Sequence, residues 1–180
     1  MDPASRFAPE LRTSTVNILT ALGWLQGRFH IPKLQSLLDF LAPGVNIIKC
    51  SRVRVPGEPT TLAFVGLQRD AVHLIEPTQG DEHIESPGAV GRTTPRHVAC
   101  LLPAGVLRGD LEVLVNVRVS DFLRQQQGMF VLRNAVLMPY GTEAGAGAPT
   151  PAPAGGRKFR AVILNPGAAV GVSEPEGTGN

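Results

Sequence analysis

Aromatic residues are few in this 180-residue chain: seven Phe, one Trp and one Tyr, 5% in all. The interior is therefore expected to be aliphatic, with each Phe filling a large share of it. Cysteine is scarcer still. Cys50 and Cys100 have no second Cys or His at ligand spacing, which argues against a disulfide scaffold or a zinc site and makes buried reduced thiols the expectation. No apolar run approaches bilayer-spanning length, and MDPASRFAPELR places no long apolar stretch behind a basic start. Neither membrane insertion nor a signal peptide is expected, and a cytoplasmic protein follows.

Catalytic signatures are missing as well. The chain contains no Gly-x-Ser-x-Gly, Cys-x-x-Cys or His-Glu-x-x-His, and the glycines of residues 141–147 lack the Lys-Ser/Thr of a phosphate-binding loop. His30, His73, His83 and His97 are scattered, without metal-ligand spacing. The expectation is a non-enzymatic protein with no cofactor and no metal. A formal charge of +2 is too small to demand a polyanionic partner. Fourteen Arg against three Lys, with abundant Ala, Gly and Pro, point to a GC-rich bacterial genome.

What the chain does have is an internal repeat. Residues 23–41, GWLQGRFHIPKLQSLLDFL, share a layout with residues 105–123, GVLRGDLEVLVNVRVSDFL, at an offset of 82. Both read Gly-x-Leu-x-Gly, an apolar-alternating run, then Asp-Phe-Leu. Flanking segments match in the same order, Val16 and Leu19 with Val98 and Leu101 among them.

In the first copy, period-2 alternation predicts strands over residues 15–21 and 24–31, with Gly27 at a bulge or close backbone approach. Leu34, Leu37, Leu38 and Leu41 form a short helical stripe that Pro32 can open and Pro43-Gly44 stops. Three more strands cover residues 46–55, 60–67 and 71–76, joined by hairpins at Pro56-Gly57 and Arg69-Asp70. The LAFVGL run of residues 62–67 is apolar on both faces, the pattern of a central strand. The second copy has a weaker helical stripe at Val115, Val119, Phe122 and Leu123, then strands over 130–138, 159–164 and 168–172.

The fold expected is mainly β with short helices: two tandem small antiparallel β-barrel-like domains, each β-β-α-β-β-β. Residues 1–13 are a flexible arm, 14–77 the first domain, 78–95 a linker, 96–174 the second domain with a low-complexity loop at 139–157, and 175–180 a disordered tail. The Gly-x-Leu-x-Gly stretch, the Leu-rich helix ending in Asp-Phe-Leu and the following strands resemble a bacterial family of small β-domains of uncharacterised function, here in two copies. The layout is similar to Sm-like and other small barrels at the level of fold.

Three surfaces are candidates for function. Arg92 and Arg96, an Arg-x-x-x-Arg before a strand, resemble the diphosphate- and guanine-binding element of PilZ-like cyclic-dinucleotide receptors, which implies a nucleotide ligand. The second element of that family, Asp/Asn-x-Ser-x-x-Gly, is not matched, since Ser120 lacks both flanking residues. Arg52, Arg54, Arg133 and Arg160 are a possible nucleic-acid surface, although exposed aromatics for stacking are limited to Trp24 and Tyr140. Trp24 is read as packing between the copies, or as an anchor for a partner. Asp39 and Asp121 are read as helix-end carboxylates rather than catalytic ones. The leading expectation is a protein-binding scaffold or regulatory adaptor whose partner is another protein or a further copy of itself. The alternatives are nucleic-acid binding and, after it, the cyclic-dinucleotide receptor.

Overall fold

The computed structural model describes residues 9–78, 83–85, 92–140 and 156–174. Ten strands and two short helices follow one another as β1 (Leu11–Thr20), β2 (Gly23–Pro32), α1 (Leu37–Phe40), β3 (Ile47–Arg54), β4 (Thr61–Gln68), β5 (Val72–Pro77), β6 (Thr93–Leu102), β7 (Gly105–Leu114), α2 (Val119–Gln125), β8 (Phe130–Met138), β9 (Arg157–Leu164) and β10 (Gly171–Ser173). A 3-10 turn precedes β5 (Arg69–Ala71) and another precedes β10 (Pro166–Ala168).

The strands form one open antiparallel sheet in the order β10-β6-β7-β8-β9-β5-β1-β2-β3-β4. Two separate closed barrels, the arrangement expected from the sequence, are therefore not what the hydrogen bonds build. The difference arises at β5, which pairs with β1 on one side and with β9 on the other, Leu74 opposite Leu164 and Ile75 opposite Ile163. The chain leaves β4 through the first 3-10 turn, so Arg69-Asp70 is not a hairpin, and among the described residues β4 has no neighbour beyond β3.

Alternation of side chains at the junction divides the interior between the two faces of the sheet. Ile18, Ile75, Val131, Ala161 and Ile163 enter one core with Phe29, Leu37 and Ile48. Leu19, Leu74, Leu132, Val162 and Leu164 enter the other with Leu107, Val119 and Phe159. This explains why β5 and β9 carry consecutive buried residues whereas β2 alternates cleanly, burying Leu25, Gly27, Phe29 and Ile31 and exposing Gln26, Arg28 and His30. Each fully buried Leu or Ile contributes about 1.5–3 kcal/mol.

The glycines of the repeated motif act on the backbone. Register shifts between Gln26 and Arg28, and between Arg108 and Asp110, mark irregular pairing opposite Arg52 and Asn134, which take φ of 51° and 49°. A Cβ on Gly27 would stand 2.3 Å from the Cys50 Sγ, so the bulge requires glycine there. Gly105 turns the β6–β7 hairpin at φ 145°, where a Cβ would also meet the Met138 carbonyl oxygen at 2.2 Å.

Several boundaries differ from the sequence reading. Strand pairing with β2 extends β1 back to Leu11 inside the expected arm, and β6 begins at Thr93 inside the expected linker. Helix α1 is four residues long because Ser36 caps it: its Oγ accepts from the Asp39 N–H at 3.0 Å and donates to Asp39 Oδ2 at 2.6 Å. Leu34 therefore lies outside the helix and is fully exposed, and Val115 is 46% exposed rather than part of a buried stripe. The expected tail at 175–180 and most of the loop at 139–157 lie outside the described residues, as do residues 1–8 of the arm and much of the linker.

Candidate functional site

The strand that reads as central in sequence stands at the edge of the sheet. Along β4, residues 61–64, 66 and 68 are exposed, and the strand carries neither a charge nor a proline. Leu62 is 42% and Phe64 59% exposed, and Ile47 on the paired β3 is 51% exposed. Natural edge strands are commonly protected by Lys, Pro or a bulge, and β4 has none of these in its sequence. Phe64 and Ile47, with Phe40, Ala42 and Val45 from α1 and the segment after it, line an apolar groove of about 660 Å³. His30, Asp39 and Lys49 supply its polar rim. Arg69 holds the segment that follows α1, its Nη1 donating to the carbonyls of Leu41 and Ala42 at 2.6 and 3.1 Å.

A second surface lies on the outer face of β2 and β3. Arg28, Arg52 and Arg54 line a groove of about 520 Å³ with Thr15, Gln26 and Thr61, and no carboxylate is among these lining residues. Trp24 stands near it, but its ring is occupied: the Arg157 guanidinium stacks 3.8 Å from its centroid and Phe159 packs at 6.0 Å. Arg157 also pairs with Glu76, which accepts from Asn17 Nδ2 at 2.8 Å. Trp24 of β2 thus packs against two residues of β9.

The remaining sequence candidates are dispersed. Arg133 pairs with Glu85 at 2.5 Å. Arg160 is exposed on β9, next to the buried Phe159. Arg92 and Arg96 are exposed; the Arg92 carbonyl accepts from the Val115 N–H, and Arg96 lies on β6 opposite Leu111. The structure does not gather these arginines into one patch with Arg52 and Arg54.

Chemistry-bearing groups are held in structural roles. Burial pushes the thiol of Cys50 up to about 11 and that of Cys100 to about 12, so both are protonated and unreactive at neutral pH. Asp110 accepts from Asn134 Nδ2 at 3.0 Å and approaches His97 Nδ1 at 3.1 Å; the Asn134 bond first and the His97 bond second hold its carboxyl below the usual range. His73 is buried on β5 with its Nδ1 unpartnered, and desolvation lowers its pKa. Among the described residues, no group of three or more His, Cys, Asp or Glu side chains could hold a metal, and no helix is long and apolar enough to cross a membrane.

The sequence reading overlooked Ile47, Leu62 and Phe64. The signal for Leu62 and Phe64 is the uncharged, two-faced apolar run of β4, a pattern that an edge strand with an uncovered apolar face shares with a central one; Ile47, on the paired β3, has no such signal. No family model, curated protein or solved structure matches the chain.

Proposed function

We propose that this chain is a non-enzymatic binding or scaffold protein, built as a tandem duplication of one small β-unit, and that it acts through protein contacts at the β4 edge and its adjoining apolar groove. The observation that carries the reading is the exposure of Leu62 and Phe64 on an uncharged edge strand beside Ile47. Free backbone donors and acceptors with alternate apolar side chains are the elements of β-strand addition, in which main-chain bonds supply affinity and side-chain sockets supply register. The duplication is supported by the order β-β-α-β-β-turn-β, which occurs over residues 11–77 and again over 93–173.

Light scattering on the purified chain, with recovery of partners on immobilised wild-type and Phe64→Lys protein, tests this reading. It predicts association or recovery that the substitution abolishes. A strict monomer whose recovered proteins are the same with and without the substitution contradicts it.

The Arg28, Arg52 and Arg54 groove favours one second reading, a nucleic-acid contact made through phosphates. Binding of single-stranded DNA or RNA that weakens steeply with salt, and weakens further in Arg52→Ala/Arg54→Ala, would support it. Binding unchanged by the double substitution would remove it.

A further inference from the structure

The junction between the halves leaves two complementary ends unused. Strand β3 corresponds to β8 at the offset of 82, and β4 corresponds to β9 at an offset of 97, because Ile48 pairs with Leu67 as Phe130 pairs with Leu164. Strand β5 corresponds to β10 at the same offset of 97, because Leu19 pairs with Leu74 as Leu101 pairs with Gly171. Within the chain the first half offers β5 and the second half offers β9, and these two strands pair. The strands left at the edges of the sheet are β4 and β10, the counterparts of the two that meet inside.

The exposures agree with an interface made once and left unmade once. Met129, Ala161 and Ile163 are 2%, 4% and 0% exposed because the first half covers them in a shared core. Their counterparts are Ile47 at 51%, Phe64 at 59% and the exposed Gly66. On the opposite end, His73 is 8% exposed and its counterpart Val170 is 81% exposed. Bulk is redistributed in a compensating way: Phe64 replaces Ala161 while Gly66 replaces Ile163, and Gly171 and Val172 replace Leu74 and Ile75.

From this correspondence we infer that the partner at the β4 edge is a second copy of this chain, whose β10 pairs antiparallel with β4 and continues the sheet from molecule to molecule. The register follows from the internal junction: Gly171 lies opposite Leu67 and Val172 opposite Gly66, as Leu74 lies opposite Leu164 and Ile75 opposite Ile163. The Gln68 N–H donates to the Val170 carbonyl of the neighbour, as the Asn165 N–H donates to that of His73 at 3.0 Å. Such a contact joins two different surfaces, so it propagates head to tail until its rotation closes a ring, or continues as a filament. The inference rests on the duplication and on the protein-binding reading of the β4 edge.

Two substitutions at exposed positions block one end each: Phe64→Lys on β4 and Val170→Lys beside β10. The wild type is expected to sediment as species larger than a dimer. Each variant alone is expected to be monomeric, and an equimolar mixture is expected to recover one intact interface and give a dimer with nothing larger. Circular dichroism and thermal melting check that both variants stay folded. A mixture that stays monomeric while the wild type associates overturns the inference, as does a Val170→Lys chain that associates like wild type, the signature of β4 pairing with β4. A wild type that is monomeric at high micromolar concentration also overturns it. In that case the broader reading survives if Phe64→Lys removes another protein recovered on the wild-type chain, and falls if it removes none.

Discussion

Replacing Phe64 by Lys separates folding from association. The side chain is 59% exposed at a sheet edge, so the isolated fold has little to lose, and its stability should change by no more than about 0.5 kcal/mol. Association is another matter. A Phe side chain has roughly 200 Å² to bury, so the exposed part offers about 120 Å², worth about 3 kcal/mol at ~25 cal/mol per Å². Lysine forfeits that term, and burying its ammonium without a partner adds to the loss, so the association constant should fall by a factor of about 100 or more. Sedimentation equilibrium over a concentration series reads the constant, and urea unfolding at low protein concentration reads the fold. The counterpart substitution, Ala161→Lys, places the same charge in a site only 4% exposed and should unfold the chain. An association constant unchanged within threefold in Phe64→Lys would refute the reasoning, because the exposed apolar edge would then have no part in the contact.

Asn165, which follows β9 and caps the next 3-10 turn, bonds through both side-chain ends: Nδ2 donates to the carbonyls of Arg69 and Val72 at 3.1 and 2.9 Å, and Oδ1 accepts from the Gly167 N–H. Asn165→Ala leaves buried groups unpaired and should cost about 3 kcal/mol in urea unfolding, while Gln68→Ala at the matching exposed position should stay within about 0.5 kcal/mol. His73 favours its neutral form in the folded chain, so the unfolded chain binds the proton first as pH drops below the reference 6.5, and stability falls from there through the lower folded pKa. His73→Val, the residue at the matching position 170, should flatten that dependence and relieve an unpartnered buried nitrogen, raising stability by about 1 kcal/mol at pH 8. An unfolding free energy with the same pH slope in wild type and variant would show that His73 is not the group responsible.

Local pattern carried much of the architecture, and topology carried the rest. Alternation in residues 24–31 located β2 and its inward residues because one face of that strand is core and the other solvent. Gly27 marked the bulge because no side chain fits beside Cys50. The Leu stripe from Leu34 misled, since its spacing is helical while Ser36 starts the helix two residues later through a capping bond that periodicity does not register. Strand order was beyond reach for a related reason: side-chain pattern states how many faces a strand buries and not which strand lies beside it. Both β9 and β4 are apolar on two faces, yet among the described strands β9 is paired with β5 on its second edge and β4 with none. The central position that the run of residues 62–67 predicts is therefore an edge position, and no described residue pairs with β4 beyond β3.

The most direct measurement uses two chains that each carry one added cysteine, Gly66→Cys and Val172→Cys, mixed under mild oxidation. Opposed residues in antiparallel strands stand about 4.5–5.5 Å apart, within disulfide reach, and Cys50 and Cys100 are buried and protonated. The account predicts a disulfide-linked dimer in that mixture and far less in a mixture of Gly66→Cys with Ser173→Cys, whose side chain points to the other face. Equal crosslinking in both mixtures, or a dimer formed by Gly66→Cys alone at the same rate, would contradict the head-to-tail pairing of β10 with β4.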